Sequence, residues 1–414
     1  VVKIGHVGPT SGAIAHLGKD NENGARMAVD ELNAKGVTIG GKKAKFELLA
    51  EDDAADPKQG TAAAQKLVDA KVNGVIGHLN SGTTIPASKI YSDAGVPQIS
   101  PSATNPKYTR NGYKTAFRVV ADDVHLGGTL GKYAVTTLKG KSIAVIDDRT
   151  AYGQGVADEF EKGVKAAGGK LVGREFTTDK ATDFTAILTN LKAKKPDVVF
   201  FGGMDAVAGP ILRQMKQLGI EAKLVGGDGI CTGELPKLAA GTMGDSQVYC
   251  AEAGGIEGAG KKGMEDFKVA FKKKFNADVQ VYAPYVYDAT MVLVDAMELA
   301  WQRAKYRGHQ HPLLAADRMS LLQKLSGERV GLVGLHQFVD IPKVLGDRMR
   351  DLMGAAWEKG HSQRAHWVTR FGTFADHEVS RGVTPFQIDD GWLFKLRFVP
   401  EMKGVTPLLR TVSP

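Results

Sequence analysis

The chain has 414 residues, 43% hydrophobic and 24% charged, which is enough for two domains with sizeable cores and typical of a soluble globular protein. Its net charge of +8 does not mark a polyanion binder: residues 1–300 carry 37 Lys+Arg against 35 Asp+Glu, and the excess lies in residues 301–414, with 17 against 11. No basic run with interleaved aromatics and no apolar run of 18 uncharged residues occurs, so nucleic-acid partners and a transmembrane span are not expected.

From Val2 the pattern alternates strand and helix. Strand Val2–Pro9 leads through Thr10-Ser11-Gly12 to a helix from about Asp20 to Ala34, striped by Ala25, Ala28, Val29 and Leu32. Strand Ala44–Glu51 ends in Asp52-Asp53; Asp56 and Pro57 then supply an N-cap and first turn for the next helix. Two buried-strand runs follow, Gly74–Leu79 and Val96–Pro101, separated by a helix over Thr83–Ala94. This βαβ unit makes its strands parallel and brings Asn80-Ser81-Gly82-Thr83-Thr84 and Ser102-Ala103-Thr104-Asn105 to one carboxyl edge. Hydroxyls, close-approaching backbone N–H groups and a helix N-terminus at such an edge suit a small anion such as a carboxylate. Either loop alone would be an ordinary helix cap; the two side by side favour a site.

Strand Thr115–Val120 closes this half, and a second series of the same make begins at helix Leu126–Leu138. It continues through strand Ser142–Asp148, the loop Arg149–Gly153, helix Val156–Ala167, strand Lys170–Phe176 and helix Phe184–Lys194. Strand Asp197–Gly203 is apolar throughout, as a strand buried on both faces is. Helix Ala206–Leu218, strand Ala222–Gly227, a short helix at Glu234–Ala240 and strand Gln247–Glu252 complete it, ahead of two long helices near Gly263–Phe275 and Ala283–Ala300. The alternation gives two Rossmann-like lobes with crossings near Arg118–Ala121 and Cys250–Ala253, the second returning the long helices to the first lobe. Cys231 and Cys250, the only cysteines, either bridge or remain two buried thiols.

After Ala300 the composition changes. All four tryptophans and six of the ten histidines lie beyond it, and arginine replaces lysine, 11 Arg against 6 Lys. Amphipathic segments persist at Leu313–Leu325 and Val344–Trp357, so the tail does not read as disordered; it looks like a segment of different origin from the body, with residues 301–380 open to being an insertion, a fused segment or a sequence error.

The runs GPTSGAIAHLGKDNENGARMAVDELNAKG, EDDAADPKQGTAAAQKLV, VIGHLNSGTTIPASKIYSDAGVPQISPSATNP, DDRTAYGQG, FFGGMD, GGDGI and YAPYVYDA occur in that order over about 300 residues. In them the body resembles the leucine/isoleucine/valine-binding proteins, the periplasmic receptors of branched-chain amino-acid ABC transporters. The resemblance implies an α/β, type I periplasmic binding protein fold, two Rossmann-like lobes joined by three crossing segments. Lobe 1 would take residues 1–120 with 251–330, and lobe 2 residues 121–250 with 331–414. It implies that Ser81 and Thr104 hold a ligand carboxylate and that Ser102, beside Ala103, offers its carbonyl to the ammonium. Tyr152 would close over the ligand from the second lobe, and Asp228 would pair with the ammonium. Leu17 and Met204, where relatives often place aromatics, would shape the side-chain pocket, with Tyr282 as a further wall. RGVTPFQIDDGW at 381–392 loosely resembles the family's late segment, and as loosely the DDGW strand of some glycoside hydrolases.

The implied function is capture of a small aliphatic amino acid by hinge closure and its delivery to a membrane permease, without catalysis or cofactor, by a monomer. The location would be the periplasm, in mature form, since the chain opens directly on a strand with no signal peptide ahead of it. The alternative is an enzyme or sensor on the same scaffold that binds an amide or another small carboxylate. Against an enzyme, Asp52-Asp53 and Asp147-Asp148 are neighbours on strands and point to opposite faces; they read as solvated strand ends or caps. His309, His311, His361, His366 and His377 show no metal-ligand spacing.

Overall fold

The computed structural model describes residues 1–255, 260–305, 355–356, 363–371, 386–394 and 397–398. The chain divides into two compact units, Val1–Met297 and Glu298–Pro414.

In the first unit, β1 (Val2–Gly8), β2 (Phe46–Asp52), β3 (Gly74–Gly77), β4 (Gln98–Ser100) and β5 (Ala116–Arg118) form one sheet in the order β2-β1-β3-β4-β5. All its pairings are parallel. The crossover helices are α1 (Ala15–Lys35), α2 (Pro57–Asp69) and α3 (Ser81–Asp93). After α4 (Asp123–Thr136) comes a second sheet. Its strands are β6 (Ile143–Asp147), β7 (Leu171–Phe176), β8 (Val198–Gly202), β9 (Lys223–Gly226) and β10 (Val248–Cys250), with α5 (Ala151–Ala166), α6 (Thr185–Ala193) and α7 (Asp205–Gln217) between them. Its order is β10-β9-β8-β6-β7, again all parallel. Counted within each lobe, both sheets therefore follow the order 2-1-3-4-5. Each has one switch point at its carboxyl edge, β1/β3 in the first and β6/β8 in the second.

The two sheets share one apolar cluster. Ile4, Leu17, Ile76 and Leu79 of the first lobe belong to it together with Val145, Tyr152, Phe160 and Phe200 of the second. The Phe160 and Phe200 rings stack at 4.0 Å. Helices α4 and α5 meet on glycine: a Cβ on Gly131 would stand 2.3 Å from the Phe160 carbonyl oxygen, so only glycine permits this approach. The first and second crossings lie side by side, tied by the Ala121 N–H to the Ala253 carbonyl at 2.7 Å. The third crossing expected in the tail lies outside the described residues.

After the second crossing run α8 (Gly260–Phe275) and α9 (Ala283–Lys305). The start of α9 is fixed on α1 by Asp20. Its carboxylate accepts the backbone N–H groups of Gln280, Tyr282 and Ala283 at 2.9–3.0 Å and of Val281 at 3.3 Å. Gly24, one turn further along α1, packs so closely on Ala283 that a Cβ there would lie 2.5 Å from the Ala283 carbonyl oxygen. This corrects the expected start of α1 at Asp20. The helix begins at Ala15, because Ile14 and Leu17 extend its buried stripe, and the Asp20 carboxylate serves another helix. The expected loop Arg149–Gly153 is likewise shorter: Thr150 accepts the Gly153 N–H at 2.9 Å and starts α5 at Ala151, which makes Tyr152 helical. Asp56 caps α2 as expected, accepting from Lys58 N and Gln59 N.

In the second unit, Gln363–Phe371 and Phe386–Phe394 pair antiparallel, with Asp389 opposite Val368 and Asp390 opposite Trp367. Ala355–Ala356 pairs with Arg397–Phe398. The amphipathic segment Leu313–Leu325, and Val344–Trp357 apart from Ala355–Ala356, lie outside the described residues.

Cys231 and Cys250 are bridged, tying the turn after β9 to the end of β10 across a sequence separation of 19. Replacing both cysteines by alanine frees that loop in the unfolded chain and should lower the unfolding free energy by about 3 kcal/mol, measured by urea denaturation.

Candidate functional site

The residues that follow β3, β6, β8 and β9 converge because parallel strands deliver their carboxyl ends to one edge. Ser81 opens α3, Tyr152 stands in the first turn of α5, Met204 precedes α7, and Asp228 opens a 3-10 turn, Asp228–Ile230, after β9. Leu79, Asn80, Ser81, Ser102, Tyr152, Met204, Asp228 and Tyr282 surround one small space. It adjoins a larger cleft of about 570 Å³ that runs outward between the Ser11–Ile14 segment and Ala54–Asp56 of the first lobe and Asp148–Tyr152 of the second.

Asp228 is fully buried. Tyr152 Oη donates to its Oδ1 and Tyr282 Oη to its Oδ2, each at 2.8 Å, and the Gly229 N–H donates to Tyr152 Oη at 3.0 Å. Burial pushes the carboxyl up to about 6, with the two tyrosine hydroxyls opposing the shift. It therefore stays ionised at neutral pH and, among the described residues, has no cationic partner, the condition of an acceptor set for a positive charge.

The first-lobe side presents hydroxyls. Ser81 Oγ accepts the Asn105 N–H at 3.2 Å, which leaves its own proton to donate. Ser102 Oγ donates to the Leu79 carbonyl at 3.0 Å, and the Ala103 N–H goes to Ser100 Oγ at 2.9 Å. Thr104 Oγ1 is buried without a hydrogen-bond partner. Six of the nine residues expected from the sequence thus line the space itself; Leu17, Ala103 and Thr104 do not. Leu17 lies in the apolar cluster with Tyr152, Met204 and Tyr282, and Ala103 and Thr104 are buried beside Ser102.

Leu79 and Asp123 were not expected at the site, and Asn80 was expected only as part of its loop. Leu79 and Asn80 line the space as the last residues before α3, and Asn80 Oδ1 has no partner although Asn80 stands at the cap position. Asp123 is fully buried, and among the described residues neither of its oxygens makes a hydrogen bond of good geometry. Burial pushes it up to about 8; the nearby Thr104 hydroxyl favours its charged form, and the Asp228 charge opposes it. In the sequence Asp123 hides behind Asp122, which is the cap of α4 and accepts from His125 N.

The paired acids are corrected in part. Asp52 is an exposed strand end that accepts the Thr10 and Ala54 N–H groups, but its neighbour Asp53 is buried and shares the His78 imidazole with Tyr91, both at 3.1 Å. Asp147 and Asp148 are buried as well, Asp147 against the Arg174 guanidinium and Asp148 against Thr150. Each is committed to a fixed internal partner because an unpaired buried carboxylate would be expensive.

The profile of the periplasmic binding protein family matches residues 1–324. An amino acid binding protein of Pseudomonas aeruginosa is 42% identical over 241 residues, which is 58% of this chain and 64% of that one; the match spans a little under two thirds of that relative's length. The leucine-, isoleucine-, valine-, threonine-, and alanine-binding protein of the same organism is 36% identical over 299 residues, covering 72% of this chain and 78% of its own. Among solved structures, the branched-chain amino acid transporter substrate binding protein of Streptococcus pneumoniae, in complex with isoleucine, superposes with a TM-score of 0.62 at 29% identity. The match covers 75% of this chain and 85% of that one.

Removing the Tyr282 hydroxyl takes away one of the two side-chain donors that hold Asp228 ionised. In Tyr282→Phe the Asp228 carboxyl should titrate about one pH unit higher, followed by carbon-13 NMR of the aspartate carboxyls.

Proposed function

The chain belongs to the periplasmic binding protein family, among the substrate-binding proteins of branched-chain amino-acid ABC transporters, and we propose that it captures a small aliphatic amino acid between its two lobes. The observation that carries this reading is Asp228, buried between two tyrosine hydroxyls and facing the Ser81 and Ser102 loops across the same small space. A zwitterion needs that pair of ends: an anionic acceptor for its ammonium and hydroxyl and N–H donors for its carboxylate.

Ser81 and Thr104 receive the carboxylate, Thr104 through the hydroxyl that otherwise has no partner. The Ser102 carbonyl, beside Ala103, and Asp228 receive the ammonium. Tyr152 covers the ligand from the second lobe while orienting Asp228. Leu79, Met204 and Tyr282 enclose an apolar side chain, with Leu17 packed in the apolar cluster that backs them, and Met204 gives that wall an adaptable surface. Closing the lobes removes water from both charged ends, which strengthens each pairing relative to solution. The cycle is binding and release, a reading supported by relatives that are named as binding proteins. The closed form is what a membrane permease in the cell envelope reads, with the protein acting as a periplasmic monomer.

Isothermal titration of refolded, ligand-stripped protein with leucine, isoleucine, valine and phenylalanine tests this reading. One-to-one binding of an aliphatic amino acid is expected, and Asp228→Ala should weaken it by roughly a hundredfold or more, because the ammonium then meets no countercharge. Heat from none of the four ligands would defeat the reading.

The pH dependence follows from Asp228. Pairing with the ammonium lowers its pKa in the complex below the value of about 6 in the empty site. Affinity is therefore full above pH 6 and should fall as pH drops through 6, by at most about tenfold per unit. The same titration between pH 7 and pH 5 measures it.

A further inference from the structure

Beyond the ligand space, a further side-chain contact joins the two lobes directly. His16 on α1 and Asp205 at the start of α7 are 189 residues apart, and His16 Nε2 lies 2.7 Å from Asp205 Oδ2. Asp205 is completely buried, while His16 keeps a side-chain exposure of 23%. The same Asp205 oxygen accepts the Thr232 hydroxyl at 2.6 Å. No other segment of the described chain supplies this carboxylate with a cation.

The position of the pair in the sequence gives it a consequence for the site. His16 immediately precedes Leu17, and Asp205 immediately follows Met204; Met204 lines the ligand space, and Leu17 lies in the same apolar cluster with Met204, Tyr152 and Tyr282. We propose that His16 and Asp205 form the latch of the closed cleft, with His16 as a positioning residue whose protonated imidazole docks Leu17 against Met204 and thereby sets ligand affinity. This inference deepens the proposed amino-acid binding and rests on it for its effect on affinity.

The chemistry suits a reversible latch. When the lobes part, Asp205 Oδ2 keeps the Thr232 hydroxyl and the carboxylate keeps its place at the N-terminal end of α7, while Oδ1, buried without a partner in the closed form, becomes free to meet water. His16 returns to water at little cost, since it is already partly exposed. The groups that face the imidazole are acids on three elements: Asp205 on α7, Glu234 just ahead of the short helix Leu235–Leu238, and Asp20 on α1 itself. Burial works against the imidazolium, but the Asp205 hydrogen bond and these charges outweigh it and raise the His16 pKa in the closed form.

The sign follows. In the open form His16 has an ordinary histidine value of about 6.5. Closure therefore takes up a proton. The latch is at full strength below that ordinary value and is lost as pH rises through the raised value of the closed form. Asp228 weakens binding on the acid side, His16 on the alkaline side, and the two limbs have different owners.

Two measurements on the full chain test the latch. The first is an NMR titration of histidine ring signals, with and without saturating leucine, on wild type, His16→Gln and Asp205→Asn. One signal should titrate above the ordinary range; it should be absent in His16→Gln and return to the ordinary range in Asp205→Asn. The second is leucine calorimetry at pH 6.5 and pH 8.5. Wild type should bind roughly threefold to tenfold more weakly at the higher pH, and His16→Gln should bind equally at both, near the weaker wild-type value. A purely structural role for His16 would lower the melting temperature without removing that slope. If His16 titrates at an ordinary value in both states, or His16→Gln keeps the wild-type affinity and slope, the latch is overturned. If wild type binds no amino acid, the functional reading fails by itself, and the ligand-free titration still decides whether His16 is latched to Asp205.

Discussion

The geometry of the site depends on the Asp20 carboxylate. It gathers four successive backbone N–H groups, Gln280 to Ala283, at the point where the chain re-enters the first lobe after the second crossing. Four free donors at a helix start would otherwise be buried unsatisfied. With them satisfied, α9 begins at a defined place against Gly24, and Tyr282 is delivered with its hydroxyl on Asp228. Burial raises the Asp20 pKa while the four N–H groups oppose the shift. A single acid thus ties residues 260 positions apart to the pocket.

Around that anchor the polar groups divide into committed and uncommitted sets. Asp53, Asp147 and Asp148 have fixed partners, and the His78 imidazole is spent between Asp53 and Tyr91. Thr104 Oγ1, Asn80 Oδ1 and both Asp123 oxygens, by contrast, are buried with none. Thr104 and Asp123 nonetheless act on each other, since the Thr104 hydroxyl favours the charged form of the acid. The Asp228 carboxylate sits between the two sets, held by neutral hydroxyls that orient it without cancelling its charge.

Three polar contacts bring groups of the two lobes together. Tyr282 on Asp228, the Asn105 amide on the Ala151 carbonyl at 2.6 Å, and His16 on Asp205 all join residues of the two sheets. The shared apolar cluster adds non-directional attraction, whereas these three contacts fix the register of one lobe on the other. Two of the acids also hold a partner in their own lobe: Asp228 accepts from Tyr152 and Asp205 from Thr232.

Much of this was written in the chain. Strand–helix alternation determined the parallel sheets, and the run from Gly74 to Asn105 determined where one hydroxyl-lined edge would lie, because hydrophobic period and turn chemistry are local properties. The family runs brought Tyr152, Asp228, Met204 and Tyr282 into consideration. The sequence could not determine the job of Asp20 or the burial of Asp53 and Asp147, since an acid near a strand end or a helix start reads the same whether it caps in water or serves a distant segment. It left Cys231 and Cys250 undecided, and it hid Asp123 behind its capping neighbour. Nor did any local pattern link His16 to Asp205. Contacts made across a cleft leave no periodic trace in either segment, so only the tertiary structure, which sets two separately folded edges face to face, could decide them.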